Sequence, residues 1–153
     1  MGLFERFARV ENPSLEVTLL PELGTEPAFI VTARVISQRE VSEAIERYTE
    51  RGNLDLKKYR PWWARRVVID WSGCTVNNLR RLIPGITIDE NKVKQLFGDG
   101  VIPYSAELAA DLHLQAITTF ATPINEACEE KRDQMTKAIE EALQGAQGNL
   151  RAG

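Results

Sequence analysis

Little in this chain can do covalent chemistry. His113 is the single histidine, and Cys74 and Cys128 are the two cysteines, far apart and in no zinc-binding or redox spacing. One histidine rules out ligation by histidine pairs. With no serine or cysteine nucleophile in a known motif nearby, a catalytic triad has no footing either. Set in an amphipathic helical stretch, His113 reads as a surface or boundary residue. The thiols read as buried free cysteines and, with no secretion signal, point to an intracellular setting. No stretch approaches the roughly 20 apolar residues needed to span a bilayer. The start, residues 1–9, is short and amphipathic without the apolar core of a secretory leader, and the first dozen residues read as loosely held. Arg6 stands where a myristoylation signal requires Ser or Thr. Internal repeats at solenoid periods are absent.

The remaining chemical signatures also fail. Gly98-Asp99-Gly100 is a lone GxG without a third glycine or a helix opening directly after it, so it reads as a turn rather than a phosphate cradle. Asp70, Asp89, Glu90 and Asp99 share the irregular centre of the chain. No spacing places two of them in one cleft, and Asp89 and Asp99 already read as a helix cap and a turn residue. The expectation is a protein with no enzymatic activity, no cofactor and no metal, which works by binding.

What is present is an ordinary globular composition, 43% hydrophobic, too apolar for wholesale disorder. The net charge of −3 argues against nucleic acid as the main partner. The charges are segregated: Lys57, Lys58, Arg60, Arg65 and Arg66 form a basic run, whereas the tract from Ser105 to Gln144 is acidic. Opposed patches can steer self-association or docking, or form two ordinary solvated faces.

Along the chain, Leu15, Val17 and Leu19 alternate with polar residues, as do Phe29, Val31, Ala33 and Val35 with a second set. Two strands with a Pro/Gly turn from Pro21 to Pro27 predict an antiparallel hairpin. Ser37-Gln38-Arg39-Glu40 is a capping box opening a helix with Val41, Ala44, Ile45 and Tyr48 on one face, ended by Gly52 as a left-handed cap. Asn53 to Arg60 reads as a polar connection. Val67 to Ile69 favour a strand, but equally fit the end of a helix starting at Pro61. Short helices are predicted around Leu79 to Ile83, stopped by Pro84-Gly85, and after Asp89. Ser105 caps a helix with the stripe Leu108, Leu112, Ala116 and Phe120. Thr122-Pro123 restarts the pattern, with Thr122 as cap, and Ile124, Cys128, Met135, Ile139 and Leu143 lie on the inner side of a last helix. Lys131 interrupts that stripe within a charged run, so this helix is predicted to protrude. The fold class is therefore α+β, a small antiparallel N-terminal sheet followed by a mainly α-helical C-terminal half. The expected division is a single domain over 1–144, β-rich over about 13–71 and helical over about 75–144, with 145–153 as a flexible tail.

The three tryptophans, Trp62, Trp63 and Trp71, lie within ten positions among Arg60, Arg65 and Arg66. Such a tract fits core packing, a protein-contact surface, since Trp and Arg dominate such surfaces, or stacking of single-stranded nucleic acid. Adjacent Trp62 and Trp63 cannot both point inward in a strand, so one is expected at the surface.

The tract Val67-Val68-Ile69-Asp70-Trp71-Ser72-Gly73, followed after a variable stretch by Gly100-Val101-Ile102-Pro103-Tyr104-Ser105-Ala106-Glu107-Leu108, resembles the tail assembly chaperones of long-tailed bacteriophages. That family pairs a Val-x-x-Trp-x-Gly tract with Gly-x-x-(Ile/Leu)-Pro-(Phe/Tyr)-Ser-x-Glu, which opens a helix; here one residue rather than two separates Gly100 from Ile102. The match covers roughly Arg65 to Asn125, and the segment from Cys74 to Asp99 departs from it by its length. The resemblance implies a late helper protein of the infected bacterial cytoplasm, absent from the virion. It would coat the tape measure protein, recruit the tail tube protein and so promote tail tube assembly; a homo-oligomer is expected. The residues expected to carry those contacts are Arg60, Trp62, Trp63, Arg65 and Arg66 in the basic tract and Leu112, Phe120, Ile124, Met135 and Ile139 in the last two helices. The alternatives are a virion tail or connector subunit and, from another class, a small nucleic-acid-binding regulator.

Overall fold

The structure, a computed structural model, describes residues 12–152, with side chains to residue 148. The loosely held start expected for the first residues lies outside the described residues. Strand β1 (Ser14–Leu20) pairs antiparallel with β2 (Phe29–Arg34), the predicted hairpin, and Leu23 and Glu26 bridge within its loop. Helix α1 (Gln38–Tyr48) opens on Ser37, whose Oγ accepts from the Glu40 amide at 3.1 Å. The Glu40 carboxylate does not complete the box; it pairs with the Arg66 guanidinium. Nor does Gly52 cap this helix. The chain leaves α1 through Thr49 in extended conformation and forms a two-residue hairpin, β3 (Thr49–Glu50) and β4 (Asn53–Leu54). Arg51 and Gly52 both have positive φ at its turn. That pair of conformations matches the right-handed strand twist, and Gly52 supplies the second of them.

The expected polar connection after it is instead the first half of a helix. α2 (Leu56–Arg66) begins at Asp55, whose carboxylate accepts from the Lys57 amide at 3.1 Å, and it runs through Pro61. The run of charged residues hid this helix, because its apolar face is confined to Tyr59, Trp62, Trp63 and Ala64. Strand β5 (Val68–Ser72) then joins β2 antiparallel, giving the sheet order β1-β2-β5 with β2 in the centre. Of the two readings open for Val67 to Ile69, Val68 and Ile69 adopt the strand, whereas Val67 keeps helical angles as the C-cap of α2. The part of the chain expected to be β-rich thus holds two helices as well.

The register of β5 slips between Thr32 and Ala33, which face Asp70 and Val68 and leave Ile69 as the extra residue of a bulge. Val68 and Trp71 are three apart, so strict alternation would put them on opposite faces. The bulge turns both inward, to 1% and 7% exposure, and leaves Ile69 exposed.

Three helices follow the sheet: α3 (Val76–Leu82), α4 (Glu90–Leu96) and α5 (Ala106–Gln115), capped by Thr75, Asp89 and Ser105. The predicted stripe through Phe120 is not one helix. Ala116 leaves the helical region (φ −134°, ψ 51°), and one π-type turn, Ile117–Ala121, carries Phe120 into the core. Thr122 is therefore no cap: it is itself helical and continues into α6 (Thr122–Ala152). The 31-residue α6 also runs through the segment expected to be a tail. Gly145 and Gly148 each weaken it by about 1 kcal/mol relative to alanine, yet Gln144, Ala146 and Gln147 around them are good helix formers.

The core forms where one face of the sheet meets α2, α5 and the start of α6. Phe29, Val31, Ala33, Trp63, Phe120 and Ile124 are all at 1% exposure or less. Buried Asn78 ties α3 to the sheet, its Nδ2 donating to the carbonyls of Pro27 (2.9 Å) and Gly73 (2.7 Å). Gly73 sits at φ +77°, and a Cβ there would lie 1.9 Å from the Ala28 carbonyl oxygen. Gly73→Ala is expected to cost about 2–4 kcal/mol, from the left-handed backbone plus a backbone collision. Gly52→Ala, with open space around it, should cost only the conformational part, about 1–2 kcal/mol. Urea unfolding of the two variants checks the difference.

Candidate protein-binding surface

The ten residues expected to make contacts divide by burial. Trp63 is 1% exposed, Leu112 2%, and Phe120 and Ile124 0%. These four are core residues and cannot meet a partner while the chain is folded. The physical reason is local geometry. Trp62 and Trp63 lie on a helix rather than a strand, so neighbouring side chains diverge by about 100°. Trp63 turns into the core and Trp62 is left half-buried. Trp63 donates from Nε1 to Asn125 Oδ1 at 2.8 Å and meets Phe120 and His113 edge-on, at 6.0 and 4.7 Å between ring centres. The expectation of a surface or boundary position for His113 is corrected too: it is buried, at 8% exposure, between Trp63 and Tyr59.

Arg66 is likewise occupied, its Nη2 donating to Glu40 Oε2 at 3.1 Å in a partly buried ion pair that raises its pKa, chiefly through the hydrogen bond. Arg60 and Arg65 lie along grooves between α2 and α5, beside Ala110 and Asp111. The Arg60 Nε and the His113 Nδ1 are buried and have no hydrogen-bond partner among the described residues.

Met135 and Ile139 remain, exposed by 37% and 60%, with Leu143 at 59%. At about 100° per residue, Ile124, Cys128, Met135, Ile139 and Ala142 fall within about 60° of one another around α6. The face that is buried against the sheet at Ile124 and Cys128 is the face left bare further along. Every residue from 133 to 148 is exposed, an arm of about 24 Å. The predicted protrusion is therefore present, and Lys131 and Arg132, both half-buried, mark its base.

Two grooves meet at that base. One is walled by Tyr59, Trp62 and Val41, the other by Ser37, Met135 and Ile139; Gln38, Glu129 and Arg132 belong to both. The structure thus places Trp62 in the groove that adjoins that of Met135 and Ile139, and Arg60 and Arg65 along other grooves. Gln38, Tyr59 and Arg132 were not singled out by the sequence. The one signal for them was the break in the apolar stripe at Lys131, which marks where α6 leaves the body.

Neither thiol is poised to react. Burial pushes the Cys74 pKa up to about 12 and that of Cys128 in the same direction. Among the described residues, no group of three or more His, Cys, Asp or Glu side chains is placed to hold a metal ion, and no helix is long and apolar enough to cross a membrane. No protein-family model matches the chain, and neither does any curated protein or solved structure.

Burial, with the Arg60 charge adding to it, holds the His113 pKa below its ordinary value. The unfolded chain therefore takes up this proton more readily than the folded one. Stability is full above about pH 6.5 and declines as the pH falls through that value, until the folded imidazole is itself protonated. His113→Phe, which keeps an edge-on ring against Trp63, should flatten this part of the stability–pH curve, as followed by denaturant midpoints at closely spaced pH values.

Proposed function

We propose that the chain is a tail assembly chaperone of a long-tailed bacteriophage, which binds the tape measure protein in the host cytoplasm and promotes assembly of the tail tube. The observation that carries this reading is the α6 arm, an exposed helix continuing the apolar face of a core helix beyond the body. A bare stripe at helical spacing suits a long helical client, since two such faces bury one another at i, i+4 and i+7 positions. Core-forming Ile124 and Cys128 anchor the arm, so it is presented ready-made rather than ordered on binding.

A second support lies in the two tracts that carry the resemblance. They are in contact: Trp71 Nε1 donates to the Ile102 carbonyl at 3.0 Å, and the Tyr104 hydroxyl donates to the Val68 carbonyl at 2.8 Å. Pairing of Val-x-x-Trp-x-Gly with Ile-Pro-Tyr-Ser thus has a structural sense, a strand clasped by the segment that opens α5. The rival nucleic-acid reading is weakened by the same geometry, because Trp63 is buried and Arg66 holds Glu40, so the Arg/Trp tract is not a continuous stacking surface.

The test is co-expression with the tape measure protein of the same phage. The wild-type chain should co-purify with the client and keep it soluble. Met135→Asp with Ile139→Asp should reduce capture at least about tenfold while leaving the melting temperature nearly unchanged, since both side chains are exposed. Capture that survives the double variant would remove the arm from the mechanism. Recovery of the chain in purified virions would favour a tail or connector subunit instead.

A further inference from the structure

The groove at the base of the arm has chemistry that client binding does not use. It encloses about 250 Å³, somewhat below the roughly 300–1,000 Å³ of drug-sized sites. Its flat wall is the Tyr59–Trp62 pair, ring centres 5.5 Å apart and inclined by 38°. Ile36, Val41 and Val67 make the aliphatic side. Arg132 brings a guanidinium to the lining, on a half-buried side chain, and Arg34 meets the groove where its carbonyl faces the Cys128 thiol.

Among the described residues neither the Arg132 nor the Arg34 guanidinium has an ion-pair partner. Arg34 donates from Nη1 to the Arg66 carbonyl at 2.9 Å, and Arg132 from Nη1 to the Ile36 carbonyl at 3.3 Å. These neutral acceptors fix the two groups and leave their other N–H donors unspent. Among the described residues the ion pairs are Arg39–Glu43, Lys58 with Glu50 and Asp55, Arg66–Glu40 and Arg80–Glu90, so none involves Arg34 or Arg132. Glu129 belongs to the lining but is exposed and pairs with neither. The Arg132 charge also reaches the Tyr59 hydroxyl, whose pKa burial raises and Arg132 pulls back down. A partly desolvated cation without a carboxylate is a standing cost that a bound anion relieves, and the planar guanidinium matches a carboxylate with two parallel hydrogen bonds.

We propose that this groove binds a carboxylate carried on a flat apolar body of fragment size, the carboxylate on Arg132 and the body against Tyr59 and Trp62. Nothing in this inference depends on the chaperone reading. The same chemistry is offered by a free aromatic acid and by the terminal residue of a peptide ending in an aromatic side chain.

Both are tested on the full chain by titration calorimetry, with indole-3-acetate as the free acid and a short peptide ending in tryptophan, compared with indole-3-acetamide and the amidated peptide. Saturable binding of at least one acid with Kd at or below about 1 mM is expected. The neutral amides and Arg132→Gln should each bind about tenfold more weakly or worse. Trp62→Ala, which removes the flat wall without touching a charge, should weaken both acids and leave the preference for acid over amide. Tighter binding of the peptide than of indole-3-acetate would identify a chain terminus as the source, and the reverse a metabolite. No saturation by either acid, equal binding of acid and amide, or an unaffected Arg132→Gln protein that melts like wild type would each overturn the proposal.

Discussion

Phe120 meets two tryptophans edge-on, Trp63 at 6.0 Å and Trp71 at 6.3 Å between ring centres, and the placement of nearly everything else follows from that junction. Trp71 belongs to the edge strand β5, Trp63 to α2, and Phe120 to the π turn that leads into α6. Phe29 of the central strand and Tyr104 at the approach to α5 close on Trp71 at 5.8 and 5.2 Å. Edge-to-face contacts of this kind add about 0.5–1.5 kcal/mol each beyond the area they bury. They are also directional, so the rings fix the angles between the sheet and three helical segments. Trp63 and Trp71 both have their indole N–H satisfied, by Asn125 and by the Ile102 carbonyl, which holds the rings in one orientation.

Two local irregularities allow the junction to form. The bulge at Ile69 brings Trp71 to the inner face alongside Val68, and the π turn after Ala116 swings Phe120 inward where a continuous helix would have carried it past. Each costs regular backbone pairing and is offset by the apolar surface it buries. The π turn has a second effect. It passes directly into α6 with no intervening loop, so the direction of the last helix is set by the same packing that seats Phe120.

Periodicity made most of the frame legible: the β1–β2 hairpin, the caps at Ser37, Asp89 and Ser105, and the protruding last helix were all readable from residue spacing. Features that depend on tertiary contacts were not. Alternation cannot register a bulge, and a stripe continued through Phe120 looks the same with or without a π turn. The half of α2 before Pro61 was concealed by Lys57, Lys58 and Arg60, which suited a loop as well as a helix surface. The contact residues show the same limit. Large apolar side chains mark cores and interfaces alike, so Leu112, Phe120, Ile124 and Trp63 passed for a surface until their burial was known, whereas Met135 and Ile139 lie beyond the body and remain exposed.

The joint between body and arm also has a mechanical side. α6 is gripped over its first few turns and free for about 24 Å beyond them, so it behaves as a stiff lever with its fulcrum near Cys128 and Arg132. A tilt of about 5° at the fulcrum moves the far end by about 2 Å, roughly the depth of a methyl group. Small changes in packing around Ile36, Tyr59 and Cys128 are therefore magnified along the arm, where Met135, Ile139 and Leu143 are displayed. Side chains that touch nothing outside the body thereby set the aim of those that do.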